Sequence, residues 1–198
     1  MGTRRILWDV DTQRDFLEPD GKLYVPGSEA IVKNLASLTR WAADHSVLVI
    51  ASADAHHPND PEFRDWPPHC LVGTRGQQKI PETTLPRQYV IPNRRVQLPT
   101  DYTGYQQLVI EKQELDVFTN PNTSALLAQL GQPEVVLYGV VTELCVALAA
   151  RQLLRRGCTV TLVRDAVQAL DEAKARQLFE EVIGLGGSLI DTENITRP

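Results

Sequence analysis

Residues 134–146 read EVVLYGVVTELCV, in which a short apolar run passes into a helical pattern after a brief turn. The run predicts a strand over residues 134–138, and the pattern predicts a helix from about residue 142 to residue 156. A strand followed at once by a helix is the repeating unit of a parallel α/β sheet. The same alternation continues on both sides of this stretch.

Apolar runs and amphipathic periods define the other predicted elements. The predicted strands are residues 6–8, 47–53, 89–91, 107–110, 159–163 and 188–190, and the predicted helices are 28–44, 122–130 and 171–183. Residues 54–105 hold most of the prolines and otherwise predict a long loop region, which in a compact domain usually has a function. We therefore expect an α/β, three-layer, Rossmann-like fold with a mostly parallel central sheet and helices on both faces.

The chain has 198 residues and a net charge of -5, and 42% of its residues are hydrophobic. These values are typical of one globular unit, so we expect residues 1–198 to form a single domain. The charge leaves no basic surface for nucleic acid, and no apolar stretch is long enough to span a bilayer. The N-terminus runs into a strand rather than a signal-peptide core, and the three cysteines form no Cys-x-x-Cys pattern. We expect a cytoplasmic protein that binds neither nucleic acid nor membrane.

Polar features stand just beyond the ends of four predicted strands. They are Asp11, Asp54, Lys112 and the turn at residues 139–142. Ligands of an open parallel sheet collect at the carboxyl ends of its strands. The topology alone therefore predicts that these groups share one crevice.

Cys145 is the candidate nucleophile, because it falls in the first turn of the helix predicted after residue 142. Free N–H groups and the positive end of the helix dipole favour a thiolate there. The backbone N–H groups of Val141 and Cys145 are candidate oxyanion donors. The alternative is a buried cysteine that packs behind the helix, which is also how we interpret Cys70 and Cys158.

A catalytic thiol needs a base and a neighbouring positive charge. Asp11 is the candidate base and Lys112 is the candidate cation. Considered alone, each of these two residues could equally be an ordinary charged side chain in a loop. An Asp, a Lys and a Cys at the ends of separate strands form a more specific set than any one of them alone.

A second cluster follows the strand at residues 47–53, where residues 54–57 read DAHH and residues 66–70 read WPPHC. Neutral imidazoles and a carboxylate are ligands that zinc and similar divalent ions prefer. Asp54 and His56 at the strand end, with His69 returning on a loop, are therefore candidate ligands. The alternative is a solvated turn.

The residues at this point resemble the isochorismatase-like cysteine hydrolase superfamily. Residues 11–16 (DTQRDF), Lys112 and residues 139–146 (GVVTELCV) are similar to its base, lysine and nucleophile motifs. The resemblance implies a catalytic triad of Asp11, Lys112 and Cys145 and a thioester intermediate on the cysteine. It also implies that the Val140–Val141 peptide is cis.

Within that superfamily, the metal segment resembles that of nicotinamidases, which bind zinc, iron or manganese. The resemblance implies one divalent ion, most simply zinc, on Asp54, His56 and His69, and Glu62 lies where some nicotinamidases supply a fourth side chain. It implies that Phe16 and Trp66 sandwich the substrate ring, and that the enzyme converts a small-molecule amide, nicotinamide, to nicotinate and ammonia in NAD salvage. Relatives form dimers and tetramers, so the resemblance is compatible with a homo-oligomer, and no residue pattern in this sequence decides the oligomeric state.

Residues 113–119 (QELDVFT) depart from the Tyr-Ser-x-Phe-type segment that follows the lysine in many nicotinamidases, and His57 has no assigned role. The main alternative is a metal-free member of the superfamily that hydrolyses a ureido or carbamoyl compound or isochorismate. Two non-enzymatic alternatives are a nucleotide-binding Rossmann domain, which the absence of Gly-x-Gly-x-x-Gly disfavours, and a metal-binding or interaction module.

Overall fold

The computed structural model describes residues 4–197, and its centre is a seven-stranded sheet in which every neighbouring pair is parallel. The strands are β1 (Arg5–Val10), β2 (Val49–Asp54), β3 (Gln88–Ile91), β4 (Gln107–Lys112), β5 (Glu134–Val140), β6 (Thr159–Gln168) and β7 (Ser188–Ile190). Their order across the sheet is β3-β4-β2-β1-β5-β6-β7. The strand predictions are confirmed, including the short strand within the proline-rich region.

Helices cover both faces of the sheet, which confirms the predicted three-layer fold. They are α1 (Arg14–Leu17), α2 (Val32–Asp44), α3 (Thr123–Leu130), α4 (Ala147–Arg155), α5 (Glu172–Gly184) and α6 (Thr192–Thr196). On one face, α3, α4 and α5 pack their apolar sides into a common core. On the other, α2 contributes Leu35, Leu38 and Ala42 to a second core. No helix within residues 4–197 has the length and hydropathy needed to cross a membrane.

The strand order determines where the predicted site residues meet. β2 and β5 flank β1, and β4 lies beyond β2, so the carboxyl ends of four consecutive strands lie side by side. In the register of the sheet, Asp54 is directly opposite Lys112, and Val10 is opposite both Ser52 and Gly139. The connections run to one side of β1 early in the chain and to the other side later, which is where an open α/β sheet forms its ligand crevice.

Gly139 brings the end of β5 close to β1. Its φ is +120°, and a Cβ atom built on it would lie 2.1 Å from the carbonyl oxygen of Val10. Only glycine accepts both this backbone conformation and this approach. The turn that follows therefore starts from the middle of the sheet, where it places Cys145 beside the end of β1.

The structure differs from the predicted elements in three places. β6 continues to Gln168 rather than ending near residue 163, with a shift in its register against β5 between Leu137 and Gly139. The first turn of the helix predicted over residues 142–156 is π-helical over Thr142–Val146. The short helices α1 and α6 were not predicted, because elements of four or five residues are too short for a periodic pattern.

Candidate active site

The side chains of Asp11, Lys112 and Cys145 meet at the carboxyl ends of β1, β4 and β5. The Lys112 Nζ lies 3.0 Å from Asp11 Oδ2 and 3.7 Å from Cys145 Sγ. The same ammonium group donates a hydrogen bond to Asp54 Oδ1. All four residues are buried. The structure thus brings the predicted triad together, and it adds Asp54 as a third partner of the lysine.

Asp11 is held by the backbone and by the neighbouring strand. Its φ of +51° turns the chain directly after β1, and its N–H donates to the carbonyl oxygen of Ser52 (3.2 Å). The Ser52 hydroxyl donates a hydrogen bond to Asp11 Oδ1 (2.6 Å). One carboxylate oxygen therefore faces the serine and the other faces Lys112.

Burial and charge set the protonation of the triad. Burial raises the pKa of Asp11, as does the Asp54 carboxylate, while Lys112 opposes the shift. Burial would lower the pKa of Lys112, but Asp11 and Asp54 hold that pKa well above its usual value, so the amine stays charged. The free site therefore contains an ammonium group beside a carboxyl group that is more basic than usual.

The Cys145 thiol corrects one expectation from the sequence. The helix terminus was expected to favour a thiolate, but burial raises the pKa of Cys145 well above its usual value, and the carboxylates of Asp11 and Asp54 raise it further against the effect of Lys112. The pKa is raised despite the nearby ammonium group, because the sulfur is buried beside two carboxylates. The resting nucleophile is a thiol, and its proton must leave during attack.

The candidate metal ligands converge beside the triad. Asp54, His56, Glu62 and His69 each offer a ligand atom, and these atoms all lie within 4.8 Å of one another. Asp54 Oδ2 lies 3.4 Å from His69 Nε2 and 3.8 Å from His56 Nε2, and Glu62 Oε1 lies 3.8 Å from His56 Nε2 and 3.9 Å from His69 Nε2. The four residues predicted as ligands, including Glu62, therefore surround one point.

The loop that returns His69 to the end of β2 is held by a short parallel bridge. The His56 N–H donates to the carbonyl oxygen of Cys70 (3.1 Å), and the Val72 N–H donates to the carbonyl oxygen of His56 (3.0 Å). This pairing places His56 and His69 side by side, with ring centroids 4.7 Å apart.

The imidazole orientations fit a metal ion. His56 Nδ1 lies 3.0 Å from Asp60 Oδ2, and His69 Nδ1 lies 2.8 Å from the carbonyl oxygen of Pro67. These contacts favour protons on the Nδ1 atoms, so that both Nε2 atoms face the carboxylates. His56 Nε2 is buried and has no hydrogen-bond partner among residues 4–197. Two imidazoles and two carboxylates around this unpartnered nitrogen suit a divalent ion of the zinc type.

Gln13 is a site residue that sequence reasoning did not identify. Its Nε2 donates to the carbonyl oxygen of Asp54 (2.8 Å), and the Asp54 N–H donates to its Oε1 (2.7 Å). The same Nε2 donates to the carbonyl oxygen of Gln77 (2.7 Å). One buried amide thus fixes the backbone of the residue shared by Lys112 and the metal ligands. Its position in residues 11–16, DTQRDF, was the available signal.

Asp15 and Asp60 were also missed. Asp15 is buried and accepts hydrogen bonds from the N–H of Cys70 (2.7 Å) and the N–H of Lys22 (3.0 Å), so it joins the loops on two sides of the site. Asp60 orients His56 and accepts a hydrogen bond from the His57 N–H (2.9 Å). His57 thus participates through its backbone, while its own side chain is exposed.

One cavity opens onto the triad and the metal group. Phe16 and Trp66 both line it, as predicted for substrate contacts, and Phe16 tilts against His69 with ring centroids 5.4 Å apart. Leu115, from the divergent segment at 113–119, is also part of the wall. The remaining lining residues are Asp11, Leu23, Tyr24, Val25, Asp54, Glu62, His69, Val140, Val141, Leu144, Cys145 and Leu170. Sequence reasoning did not identify the contributions of residues 23–25 and Leu170.

The nucleophile turn has the backbone that the resemblance implies. The Val140–Val141 peptide is cis, and Val141 and Cys145 lie on the same cavity wall. Val141 accepts hydrogen bonds from the N–H groups of Leu144 (3.1 Å) and Val146 (3.2 Å), which closes the turn around Cys145. The role of the Val141 and Cys145 N–H groups as oxyanion donors stays a prediction.

Comparisons with known proteins agree with this geometry. The family model described as Isochorismatase domain matches residues 6–98 and 97–194. A nicotinamidase/pyrazinamidase from Mycobacterium tuberculosis is 27% identical over 188 residues, which cover 90% of this chain and 94% of the relative. A streptothricin hydrolase from Streptomyces noursei is 36% identical over 173 residues, which cover 87% of this chain and 58% of the relative.

The fold of this chain is also similar to that of a solved structure. The crystal structure of a pyrazinamidase from Pyrococcus horikoshii in complex with zinc matches with a TM-score of 0.77 at 27% identity. The match covers 95% of this chain and 99% of the other. The superfamily resemblance drawn from the three motifs is confirmed, because the family model covers nearly the whole chain. This chain belongs to the isochorismatase family.

Proposed function

We propose that this chain is a cysteine amidohydrolase that converts nicotinamide to nicotinate and ammonia. The family and the nicotinamidase relative make it a hydrolase of amide C–N bonds. The observation that carries the proposal is the position of Lys112 Nζ, which contacts both Asp11 and Cys145 at the base of one cavity. The neighbouring group of two histidines and two carboxylates, together with the zinc complex of the pyrazinamidase relative, favours nicotinamide over other amides.

In the acylation step, Asp11 takes the proton of Cys145 as Sγ forms a bond to the carboxamide carbon. The raised pKa of Asp11 suits it to accept this proton. Lys112 stays charged and stabilises the developing negative charge, and the N–H groups of Val141 and Cys145 donate to the oxyanion. The protonated Asp11 then donates to the amide nitrogen, the C–N bond breaks, and ammonia leaves a thioester on Cys145.

Deacylation reverses these roles with water as the nucleophile. Asp11, again a carboxylate, takes a proton from a water molecule whose oxygen attacks the thioester carbon. The C–S bond then breaks, and the proton held by Asp11 returns to Cys145. The products are the free thiol and the carboxylic acid, which ionises to nicotinate. Asp11 thus serves as base and acid in both half-reactions.

Asp54, His56, Glu62 and His69 would hold the divalent ion. When bound, the ion would supply a Lewis-acid contact that orients the pyridine nitrogen of the ring. Phe16 and Trp66 stack on the two faces of the ring in this proposal, since flat aromatics pack well together. Asp54 serves both groups, because Oδ1 bonds to Lys112 while Oδ2 faces the histidines.

Substrate turnover tests the proposal directly. Ammonia release is measured with nicotinamide, pyrazinamide and several ureido acids, with and without a chelator, and streptothricin is followed by chromatography. The proposal predicts turnover of nicotinamide and pyrazinamide and a loss of activity on chelation. Turnover of a ureido acid alone, unaffected by the chelator, would establish the metal-free alternative. Hydrolysis of streptothricin alone would move the substrate class to that of the Streptomyces noursei relative.

A further inference from the structure

Leu170 lies on the loop between β6 and α5 and lines the same cavity as Asp11 and Cys145. The residue is 50% exposed. A large apolar side chain at the mouth of a catalytic cavity gains contact when a substrate covers it. Leu170 is therefore part of the wall of the cavity that contains the nucleophile.

Glu143 fixes the backbone at Leu170. Its Oε1 accepts hydrogen bonds from the N–H groups of Leu170 (3.0 Å) and Asp171 (2.8 Å). Glu143 belongs to the π-helical turn Thr142–Val146, and it precedes Cys145 by two residues. The loop is thus attached to the same turn that holds the nucleophile.

The other side of this loop is joined to the rest of the cavity rim. Gln168 Nε2 donates to the carbonyl oxygen of Pro26 (3.2 Å), directly after residues 23–25, which also line the cavity. Beyond Leu170, Asp171 caps α5 by accepting from the N–H groups of Ala173 (2.9 Å) and Lys174 (3.2 Å). Leu170 is therefore a fixed point between two anchored segments.

We infer that Leu170 is a specificity-determining residue that limits the size of the amide admitted to Cys145, and that Glu143 is the positioning residue that holds it there. The inference rests on the proposed function only in taking this cavity as the substrate pocket. The Glu143 carboxylate acts by accepting hydrogen bonds from the two backbone N–H groups, and it exchanges no proton with the substrate. An intact Glu143 and Leu170 thus favour small carboxamides over bulky ones.

Alkylation of Cys145 measures this limit without any assumption about the natural substrate. The rate constants for modification of Cys145 by iodoacetamide and by the bulkier N-phenyl iodoacetamide are compared at one pH by peptide mass spectrometry. Leu170→Ala is expected to raise the bulky-to-small rate ratio about tenfold, which is the scale at which pocket walls discriminate a few methyl groups. Glu143→Ala is expected to raise the same ratio, and Glu143→Gln, which keeps a carbonyl acceptor, is expected to restore it.

Leu185→Ala is the matched control, because Leu185 is 51% exposed and follows the far end of α5. Its rate ratio is expected to equal that of the unmodified protein. In the double variant Glu143→Ala/Leu170→Ala, the effect of the glutamate change should largely disappear, since both changes act on one wall. A ratio unchanged in Leu170→Ala, or additive effects in the double variant, would overturn the inference. The alkylation ratio can be measured even if the protein does not hydrolyse nicotinamide. The size limit at Leu170 and the nicotinamidase proposal are therefore tested independently.

Discussion

Lys112 is the residue on which both halves of the site depend. An ammonium group taken fully out of water is costly unless it is paired, and here two carboxylates pair with it. Asp11 belongs to the proposed proton-transfer pair, and Asp54 belongs to the proposed metal ligands. The lysine therefore joins the proposed base to one of the residues that would hold the ion. The Gln13 side chain holds the backbone of Asp54 with two hydrogen bonds, and Asp54 contacts both Lys112 and the candidate metal ligands.

The raised pKa of Asp11 predicts the pH dependence of the reaction. Asp11 must be ionised to accept the proton of Cys145, so kcat/KM falls as the pH drops through its pKa. Because burial raises that pKa, the acid limb lies above the range of an ordinary aspartate. The Ser52 hydrogen bond stabilises the carboxylate and lowers its pKa, so Ser52→Ala is expected to move the acid limb to higher pH.

The pH profile of kcat/KM for the two proteins measures this effect. Ser37→Ala is a suitable control, because the Ser37 hydroxyl donates to the carbonyl oxygen of Lys33 on α2, outside the cavity. Its profile should match that of the unmodified protein. An acid limb that stays in place or moves to lower pH in Ser52→Ala would contradict the role given to Asp11.

The three triad residues that sequence reasoning identified share one property, since each is a reactive type that follows the end of a predicted strand. Asp11, Lys112 and Cys145 could be named from that position and from motif spacing. Gln13, Asp15 and Glu143 could not, because their partners are remote in sequence or known only as backbone groups. The helix terminus was expected to favour a thiolate at Cys145, but burial raises the pKa of this thiol, and the degree of burial is a property of the folded chain.

Among the elements, the end of β5 is tightly constrained by its close approach to β1. Gly139→Ala would place a methyl group against the Val10 carbonyl at a positive φ, so the strand end or β1 must shift. We expect a loss of at least about 2 kcal/mol in the free energy of unfolding, together with loss of activity. Urea unfolding followed by circular dichroism measures it.

Gly184→Ala is the matched control for this prediction. Gly184 is the last residue of α5, and a Cβ atom there meets nothing within 4 Å. The substitution is expected to be neutral or to stabilise by up to about 1 kcal/mol, since alanine favours a helix. Equal effects at Gly139 and Gly184 would show that the close approach of β5 to β1 is unimportant.

The elements themselves were largely predictable, because buried parallel strands are apolar and the longer helices are periodic. Their ends were less so. The extension of β6 to Gln168 could not be foreseen, since residues 164–168 mix charged and apolar side chains and pair only because β5 lies beside them. The loop region at residues 54–105 was assigned to function on its length and on the histidines within it, and the structure places His56, Glu62, Trp66 and His69 of that region around one cavity or ligand group.

At the scale of the whole molecule, the sheet order places the metal-type group next to the triad. β2 ends in Asp54 and lies between β1, which precedes Asp11, and β4, which ends in Lys112. No local pattern specifies this order, which follows from how the whole chain packs. A dimer or tetramer and a cytoplasmic location remain predictions from the sequence.

The four candidate ligands that the fold brings together predict the metal content of the protein. Elemental analysis of the purified protein should find about one divalent ion per chain, and His69→Ala should lose it. Because an ion that binds only the folded state stabilises it, added zinc should raise the Tm of the metal-stripped protein but not that of His69→Ala.

His57→Ala is the control for the metal prediction, since the His57 ring is exposed and the residue contacts Asp60 through its backbone N–H and carbonyl groups, which alanine keeps. This variant should retain the ion. A metal-free protein with full activity on nicotinamide, or equal metal loss in both variants, would contradict the ligand assignment. The family assignment would be unaffected by either result.

Trapping of an acyl-enzyme shows directly whether Cys145 is the nucleophile. Nicotinamide is mixed rapidly with the protein, the reaction is quenched in acid, and the peptides are mapped by mass spectrometry. The account predicts a nicotinoyl thioester on the peptide that carries Cys145, present in the Cys158→Ala control and absent, with turnover abolished, in a folded Cys145→Ala variant. Turnover of nicotinamide by Cys145→Ala, or an acyl group on any other residue, would contradict it.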